Sequence, residues 1–467
     1  MKRLKKIWAW IDDRSGFTEI FMPLIKHPVP PGSKWSYVFG SATLFCLVLQ
    51  VITGVALSLL YQPSSSEAYK SLQFITNDAA FGNVLRGIHY FGATAMIIMV
   101  SIHMMRVYIT AAYKYPREMT WISGVILFFM TIAMGFTGQL LRWDSNGVWS
   151  AVVGAEQMGR IPFIGKWAAR LLLGGDTIGG HTLSRFYSYH VFILPAIIFL
   201  FVAYHLMLVI RNGISEPAKV GRLIDPRTYR AWYKQMLVEK GIPFWPYAAW
   251  RDVIFGALTI ITIIMLAVFI GPPALTGPPN PASLNANPSP DWYMLSIFSL
   301  FALMPPKIES YMIIIGPGLT ILILLALPFV SNKGERHPLR RPWAVFGSVC
   351  VVVFVFSLFL LGERSPWSPA FDAKPLTAKN VHSADTTIIK GSVLFYKKGC
   401  LYCHRINDQG GLKGPELSDV SLRLSPADLT IRIVNGGSNM PAYGGILNKK
   451  ELTAIVAFLD TRKTKSN

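Results

Sequence analysis

The sequence contains little charge for its length, and acidic residues are the scarcer kind. Only 15% of the 467 residues are charged, 52% are hydrophobic, and 25 acidic residues stand against 45 basic ones. So small a charged fraction excludes an ordinary soluble protein and indicates a membrane protein with some soluble mass. We expect no cleavable signal peptide, because the apolar run Ile7–Ile11 is short and ends at two aspartates.

The net charge of +20 would suit a nucleic-acid partner, but the distribution of basic residues argues against one. Segments 1–34, 106–118, 211–251 and 332–341 hold 22 of the 45 Lys and Arg residues, whereas the alternating loops hold eight. An excess of Lys and Arg is typical of cytoplasmic loops. We therefore predict a multi-pass protein of the bacterial cytoplasmic (inner) membrane, with its N-terminus in the cytoplasm.

Hydropathy predicts an all-α membrane protein with a bundle of seven transmembrane helices. The spans are expected at 35–61, 87–105, 119–141, 186–210, 253–270, 311–330 and 342–361. The first four would form one domain and the last three another, so that the chain ends outside the cytoplasm. The predicted parts are a surface segment 1–34, domains 35–211 and 212–362, a linker 363–387 and a small all-α domain 388–467.

Two predicted spans carry two histidines each: His89 and His103 in one, His190 and His205 in the other. Fourteen and fifteen residues separate the members of each pair. Ionisable groups are costly in a bilayer, and imidazoles on facing helices can hold haem iron. The alternative is four unrelated histidines lining a polar cavity or proton path, but the repeated spacing favours a bis-histidine core for two b-type haems.

Gly40 and Gly54 lie fourteen residues apart on the first predicted span. Glycine lets the backbone approach a flat partner closely. That partner is either a porphyrin or a neighbouring helix, and the sequence leaves both open.

The four cysteines do not form a disulfide framework. Cys46 and Cys350 fall in apolar spans, whereas Cys400 and Cys403 belong to a C-x-x-C-H motif that ends at His404. This motif attaches c-type haem covalently and supplies an axial histidine. Met440, 36 residues after His404, is the expected second axial ligand. A redox dithiol is the alternative, but the methionine and the flanking predicted helices favour a small cytochrome c domain.

Residues 14–362 resemble cytochrome b of the Rieske/cytochrome bc complexes. The likeness is greatest to the chloroplast-type and Gram-positive version, which is split into a four-span protein and a three-span subunit IV. Five stretches carry it, at 29–32, 50–54, 114–121, 182–188 and 338–342. The resemblance implies an outer haem held by His89 and His190 and an inner haem held by His103 and His205.

The resemblance also implies arginines that neutralise haem propionates. The candidates are Arg86 and Arg185 near the outer haem, and Arg106, Arg117 and Arg211 near the inner one. Arginine is equally common at the ends of any membrane helix, so that interpretation stays open. Arg211 and Asp225 are the only candidates we find for an inner quinone site.

The stretch Pro290, Asp291, Trp292, Tyr293 resembles the family's PEWY motif at the outer quinol-oxidation site, with Asp in place of Glu. The resemblance implies that Asp291 takes a proton from quinol. A partly desolvated carboxylate can be tuned for that task. An ordinary loop aspartate is the alternative.

Three further positions depart from the family pattern. Val38 occupies the position where the chloroplast version carries a haem-linked cysteine, so no extra covalent haem is predicted on the first span. Arg142 stands where the family has proline before Trp143, and Tyr90 replaces an arginine beside the first haem ligand. These changes leave the wall of the quinol site unpredicted.

The implied function is the core subunit of a quinol:cytochrome c oxidoreductase. Quinol would be oxidised outside, with one electron passing to a separate Rieske iron–sulfur protein and then to the fused c haem. The other would cross the two b haems to an inner quinone, which builds a proton gradient. The resemblance further implies a homodimer and a cytochrome c or terminal acceptor as partner. The rivals are a membrane conduit or anchor for cytochrome c, and a dihaem cytochrome b of a dehydrogenase.

Overall fold

The computed structural model describes residues 2–279, 289–365, 368–436 and 440–463. Its contacts divide the chain into two compact units. The larger unit contains the described residues up to 294 and those from 304 to 356, and the smaller contains 295–303 and the described residues from 357 onward. The parts of the predicted segments that lie outside the described residues are residue 1, 280–288 before the Pro290 motif, 366–367 in the linker, and 437–439 and 464–467 in the C-terminal domain.

Helices dominate the part of the chain before the linker. In chain order they are α1 (Lys2–Ser15), α2 (Phe17–Lys26), α3 (Phe39–Ser58), α4 (Ala68–Asn77), α5 (Gly82–Ile109), α6 (Glu118–Leu140), α7 (Ser145–Gly159), α8 (Gly165–Leu173), α9 (Gly180–Ser188), α10 (Leu194–Asn212), α11 (Tyr229–Lys240), α12 (Ala249–Phe269), α13 (Trp292–Ala302), α14 (Pro306–Val330) and α15 (Pro342–Arg364).

Within the described residues, seven helical segments are long and apolar enough to cross a membrane. They are α3, α5, α6, the continuous helix Gly180–Asn212, the segment Phe244–Phe269, and the helices over Ile308–Val330 and Pro342–Arg364. No more than 22% of the apolar window of any of these segments is buried within the isolated chain, which suits a lipid-facing surface. The predicted class, an all-α membrane protein with seven spans, is confirmed.

The connection 142–181 follows the third predicted span and is called the outer connection, because the sequence predicts that it lies outside the cytoplasm. It contains two helices. Helix α7 begins where the side chain of Asp144 accepts a hydrogen bond from Gly147 N at 2.9 Å, which caps the helix. Helix α8 ends at Gly174, whose φ of 81° favours glycine. The two helices pack against each other. Hydropathy missed them because they are short and only partly apolar.

The connection 211–251 follows the fourth predicted span and is called the inner connection, because the sequence predicts that it lies in the cytoplasm. It is held by short antiparallel pairings and a buried ion pair. Strand β1 (Pro28–Val29) pairs with β3 (Ile242–Pro243), and β2 (Leu223–Ile224) pairs with β4 (Gly334–Glu335). Arg336 and Glu216 lie 2.9 Å apart and are both almost fully buried. Glu216 also accepts a hydrogen bond from Tyr229 at 2.6 Å. A buried pair satisfied in this way favours one specific arrangement of the loops that carry it.

The C-terminal unit contains a small helical domain. Its elements are α16 (Ala378–Val381), α17 (Thr386–Lys397), α18 (Cys400–Cys403), strands β5 (Arg405–Ile406) and β6 (Gln409–Gly410), α19 (Pro426–Asn435) and α20 (Lys449–Asp460). The core includes Phe395, Leu401, Ile406, Ile455 and Phe458, each at most 2% exposed. Helices α17 and α20 make its principal contact.

Gly391 marks the crossing of α17 and α20. A Cβ there would meet the backbone of Ala454 and lie 2.7 Å from Cβ of Phe458. We expect Gly391→Ala to destabilise the domain by about 1–3 kcal/mol through overpacking. The loss of stability is measured by thermal melting of the full-length protein, with the circular dichroism of the c-type haem as the signal. Gly445→Ala, which meets nothing within 4 Å, is the matched control. Equal melting temperatures for both variants would contradict this packing.

Candidate haem and quinol sites

The four membrane histidines form two facing pairs. His89 and His103 lie on α5, and His190 and His205 lie on the continuous helix that contains α9 and α10. The ring centroids of His89 and His190 are 6.3 Å apart, with planes inclined by 77°. Metal–imidazole bonds are about 2 Å long, so this gap admits one metal ion bonded to both rings. His103 lies within electrostatic range of His205.

Two glycines of α3 face the histidines of α5. A Cβ built on Gly54 would lie 3.3 Å from Cε1 of His89, and one built on Gly40 would lie 3.0 Å from Cε1 of His103. The helix therefore passes close to both imidazole edges because these two positions lack side chains.

Helix α6 repeats this arrangement for the other two histidines. A Cβ on Gly138 would lie 2.7 Å from Cε1 of His190, and one on Gly124 would lie 3.4 Å from Cε1 of His205. Each of the four histidine rings is thus approached by a glycine of a neighbouring helix.

A hydroxyl group contacts Nδ1 of three of these rings. The pairs are Thr53 and His89 at 2.9 Å, Thr137 and His190 at 3.1 Å, and Ser123 and His205 at 2.9 Å. Such contacts orient a ligand ring and leave Nε2 to the metal. In each case the hydroxyl residue directly precedes the glycine, so a repeated Ser/Thr-Gly dipeptide is the sequence signal that we missed. No side-chain hydrogen bond to His103 is seen among the described residues.

A π-helical turn, Tyr189–Ile193, contains His190. A π turn adds one residue to an α-helix, and such turns are frequent at functional sites. His190 and His205 are fifteen residues apart, whereas His89 and His103 are fourteen apart. The π turn therefore accommodates the extra residue, so that His190 still lies against His89 and His205 lies near His103. Spacing alone treats both helices as regular and misses this.

This donor set fits two b-type haems. Each histidine pair would supply the two axial ligands of one iron, and a porphyrin supplies the rest. The described residues contain no group of three or more His, Cys, Asp or Glu that could hold a metal by themselves. A site of two imidazoles is accordingly suited to a metal that brings its own macrocycle.

The outer candidate arginines, Arg86 and Arg185, have protein partners. Arg86 is buried and donates to Thr76 Oγ1 at 3.1 Å and to the carbonyl of Pro273 at 2.6 Å. Arg185 donates to the carbonyl of Leu171 at 2.8 Å. Both side chains are held at the outer ends of their helices, which suits the structural interpretation as well as a propionate contact.

The inner candidates, Arg106, Arg117 and Arg211, differ from one another. The guanidinium of Arg106 lies over the Tyr37 ring, 3.7 Å from its centroid, with Nε buried and unpartnered among the described residues. That of Arg117 donates to Gly213 O and to Tyr229 Oη, both at 2.8 Å. Arg211 is exposed. Arg106 therefore retains a free donor, and Arg117 mainly fixes the inner connection.

Asp225, the other inner-site candidate, has a local contact. Its side chain accepts a hydrogen bond from Arg227 N at 3.0 Å. A capped turn accounts for this contact, so the structure adds nothing that favours a quinone there.

The C-x-x-C-H motif forms α18 and the residue after it. Cys400 and Cys403 lie at the two ends of this short helix, and no disulfide joins them. His404 contacts the carbonyl of Pro415 through Nδ1 at 2.9 Å, which leaves Nε2 for an iron. A Cβ on Gly414 would come within 2.6 Å of this ring. Met440 packs against the core of the domain. These residues fit a covalent c-type haem with His and Met ligands.

The Pro290 motif lies against α6 and α5. Asp291 N donates to Gln139 Oε1 at 3.2 Å, and Trp292 Nε1 donates to Thr94 Oγ1 at 3.4 Å. Tyr293 Oη donates to Asp291 Oδ2 at 3.4 Å. Gln139 was not a sequence candidate, because nothing in its surroundings distinguishes it until the chain folds.

Burial controls the protonation of the Asp291 and Tyr293 pair. Burial raises the pKa of Asp291 above its ordinary value, against the opposing effects of Arg142 and of the Tyr293 hydrogen bond. Burial, with the nearby Asp291 charge, raises the pKa of Tyr293. The pair therefore combines a carboxylate of increased proton affinity with a hydroxyl that stays protonated.

On the first span, Val38 and Cys46 are both buried. Cys46 packs in a cluster with Met96 and Ile263. Its thiol therefore lies among apolar side chains of three spans.

Paired imidazoles inside an apolar bundle suit haem ligation above all, and they define a membrane cytochrome. The model of the family described as Cytochrome b/b6/petB matches residues 24–213. The chain is 39% identical over 222 residues to the menaquinol:cytochrome c reductase cytochrome b subunit of Bacillus subtilis (strain 168), covering 46% of this chain and 99% of that protein. The chain belongs to the cytochrome b/b6 family.

Other comparisons cover more of the chain, including its C-terminal part. Cytochrome b6 of Synechococcus elongatus is 38% identical over 214 residues, covering 46% of this chain and 100% of that protein. A solved structure, "Hyperthermophilic respiratory Complex III", is 28% identical in sequence, with a TM-score of 0.65. The match covers 76% of this chain and 91% of the chain in that structure. Residues 390–459 match the family described as Cytochrome C oxidase, cbb3-type, subunit III. The chain is thus an oxidoreductase subunit with b-type and c-type haem domains.

Replacing Gly138 tests the glycine contacts. We expect Gly138→Val to displace the His190 ring and remove the outer b haem, roughly halving the b-haem content if each b haem is held by one histidine pair. Reduced-minus-oxidised spectra of the purified protein, normalised to the c haem, measure this. Gly347→Val is the matched control, because a Cβ at Gly347 in α15 meets nothing within 4 Å. Full b-haem content in the Gly138 variant would count against the arrangement.

Proposed function

We propose that this chain is the core subunit of a quinol:cytochrome c oxidoreductase that works with a separate Rieske iron–sulfur protein. The names of its relatives, a menaquinol:cytochrome c reductase subunit and a respiratory Complex III, support this activity. The sequence contains no Rieske Cys/His motif, so that centre belongs to a partner. Menaquinol is the substrate class that the Bacillus relative suggests.

One observation carries the proposal: the Pro290 motif and the outer haem ligand share a turn of α6. The Tyr293 ring lies against Gly135, where a Cβ would come within 2.9 Å of its hydroxyl. The His190 ring lies against Gly138. Three residues correspond to about 4.5 Å along a helix. A quinol held by this motif would therefore lie beside the outer histidine pair, as electron transfer between them requires.

Asp291 is the proton acceptor in this proposal. A quinol hydroxyl gives its proton to the carboxylate of Asp291, while Tyr293, which donates a hydrogen bond to the same oxygen, orients it. Trp292, bonded to Thr94, fixes the start of α13 and thereby the direction of both side chains. Pro290 fixes the turn into this helix. The proton then leaves on the outer side.

The remaining residues hold the electron carriers. When bound, the b and c haems supply single-electron carriers between the outer site, the inner face and the fused cytochrome c. His89 with His190 and His103 with His205 would hold the two b haems, and His404 with Met440 the c haem. The excess of Lys and Arg in alternate loops supports a cytoplasmic N-terminus, and seven spans would then leave the c domain outside.

The fused domain 388–467 takes the place of a cytochrome partner, because tethering raises its effective concentration at the membrane surface. Electrons would continue to a further cytochrome c or terminal acceptor. By analogy with complexes of this family, the complex that contains this chain would be a homodimer in a bacterial cytoplasmic membrane. The rival proposal, a conduit that carries electrons without oxidising quinol, does not explain why a carboxylate and a tyrosine, both partly buried, are hydrogen-bonded to each other beside the outer histidines.

Replacing the carboxylate distinguishes these two functions. We expect Asp291→Asn to slow quinol oxidation by about 100-fold, the lower range of a general base, while Asp291→Glu retains much of the rate. The measurement is the transient reduction of b haem after an oxidant pulse, with quinol present, the inner site blocked and the Rieske partner bound. Asp176→Asn, at an exposed carboxylate of the outer connection, is the control. Full turnover of Asp291→Asn would favour the conduit.

A further inference from the structure

Three positions at which the sequence departs from its family meet at one place in the structure. Tyr90 lies on α5, Arg142 follows α6, and Asp291 precedes α13. The motif that contains Asp291 is hydrogen-bonded to the chain on both sides of Arg142: Asp291 N donates to Gln139 Oε1 at 3.2 Å, and Ser289 N donates to Asn146 Oδ1 at 3.1 Å. In this arrangement Tyr90, Arg142 and Asp291 each interact electrostatically with the other two. Positions so distant in the chain come together at the proton acceptor of the proposed quinol site.

The charge of Arg142 is held in a fixed position. Its Nη2 donates to Asp144 Oδ2 at 2.6 Å and to the carbonyl of Ala274 at 3.0 Å. Only 18% of the side chain is exposed. Its Nε is buried and has no partner among the described residues. The guanidinium therefore has little freedom to turn toward solvent, and it retains one unused donor.

Asp144 anchors this arginine. The carboxylate is fully buried, accepting from Gly147 N at 2.9 Å through Oδ1 and from Thr276 N at 3.0 Å through Oδ2. It thus caps α7 while holding Arg142. Because both of its oxygens are engaged by backbone groups, the ion pair has one geometry rather than several.

Each element packed against Asp291 contributes a charged or titratable group that faces this carboxylate. Tyr90 lies on α5, Arg142 and Asp144 lie between α6 and α7, and Tyr293 lies on α13. Among these groups only Arg142 is a cation. Arg142 and the Tyr293 hydrogen bond favour the carboxylate form, whereas burial and Asp144 oppose it.

We propose that Arg142 is a positioning residue of the quinol site, whose fixed guanidinium keeps Asp291 ionised and ready to accept the quinol proton. This inference rests on the proposed function. The proton moves from the quinol hydroxyl to the Asp291 carboxylate, and Arg142 itself exchanges no proton. In this chain, the short side chain of Asp291 accepts the proton, and the neighbouring Arg142 keeps that carboxylate ionised.

The test is the pH profile of quinol oxidation by the complex with its Rieske partner, using a soluble naphthoquinol. A protonated Asp291 cannot accept a proton, so the rate falls on the acid side of its pKa. Removing the cation in Arg142→Gln raises that pKa, and we expect the acid limb to move upward by about one pH unit. Arg142→Lys keeps the charge and brings the limb back toward wild type. Arg170→Gln, at an exposed arginine of the outer connection, leaves it unchanged.

A second variant covers the case in which Arg142→Gln does not assemble, because Asp144 would then be buried without its cation. The double variant Arg142→Gln/Asp144→Asn removes both charges, and asparagine still caps α7. Its acid limb should move in the same direction by a smaller amount, since the lost Asp144 charge opposes Arg142.

The outcomes separate this inference from the proposed function. Two results would show that Arg142 acts only structurally. One is a rate that falls by the same factor at every pH, and the other is an acid limb that stays at the wild-type position in both variants. If Asp291→Asn still oxidises quinol at the full rate, the proposed function itself fails. If Asp291→Asn is inactive while the Arg142 profiles overlay wild type, only the role of Arg142 is wrong.

Discussion

The structure depends on the cost of placing four imidazoles inside a lipid bilayer. A histidine in hydrocarbon needs a bonding partner whether it is charged or neutral. A haem iron would be such a partner only if two imidazole rings face each other at a distance that lets both bind the metal. That distance is set by the helices behind the rings. Gly54 and Gly138 let α3 and α6 pass within contact of the imidazole edges of His89 and His190. Any larger residue would move a ligand, so these positions constrain the packing of all four core helices.

The two histidine helices meet this constraint in different ways. Helix α5 does so as a regular helix, whereas the helix carrying His190 and His205 contains one more residue between its ligands and a π turn that accommodates it. A π turn lacks the regular hydrogen bonding of an α-helix and therefore costs stability. Such turns are frequent at functional sites, where function accounts for their retention. Its position at His190 indicates that the height and direction of the ligand matter more than the regularity of the helix.

The sequence was sufficient wherever the signal is local or periodic. Apolar length predicts the seven spans, and the spacing of His89 and His103 and the C-x-x-C-H motif predict haem-binding chemistry without any tertiary knowledge. What could not be predicted requires knowing how helices rotate against one another. Gln139 meets Asp291 N across 152 residues of chain, and the Thr53 hydroxyl becomes a partner of His89 only once α3 lies beside α5. Short helices such as α7 depend on a cap, Asp144, that hydropathy does not detect.

The outer site shows how a change at one position is balanced by others that are distant in sequence. Aspartate is shorter than glutamate, so Asp291 keeps its carboxylate close to its own backbone, which is bonded to Gln139. Burial there favours the protonated acid, which would be inactive as a base. A cation within electrostatic range opposes that effect, and Arg142 is the group that supplies it. Because Asp144 fixes Arg142 and also caps α7, the proton affinity of the proposed quinol site would be coupled to the fold of the outer connection. Three of the departures from the family pattern, at Tyr90, Arg142 and Asp291, are therefore parts of one electrostatic arrangement.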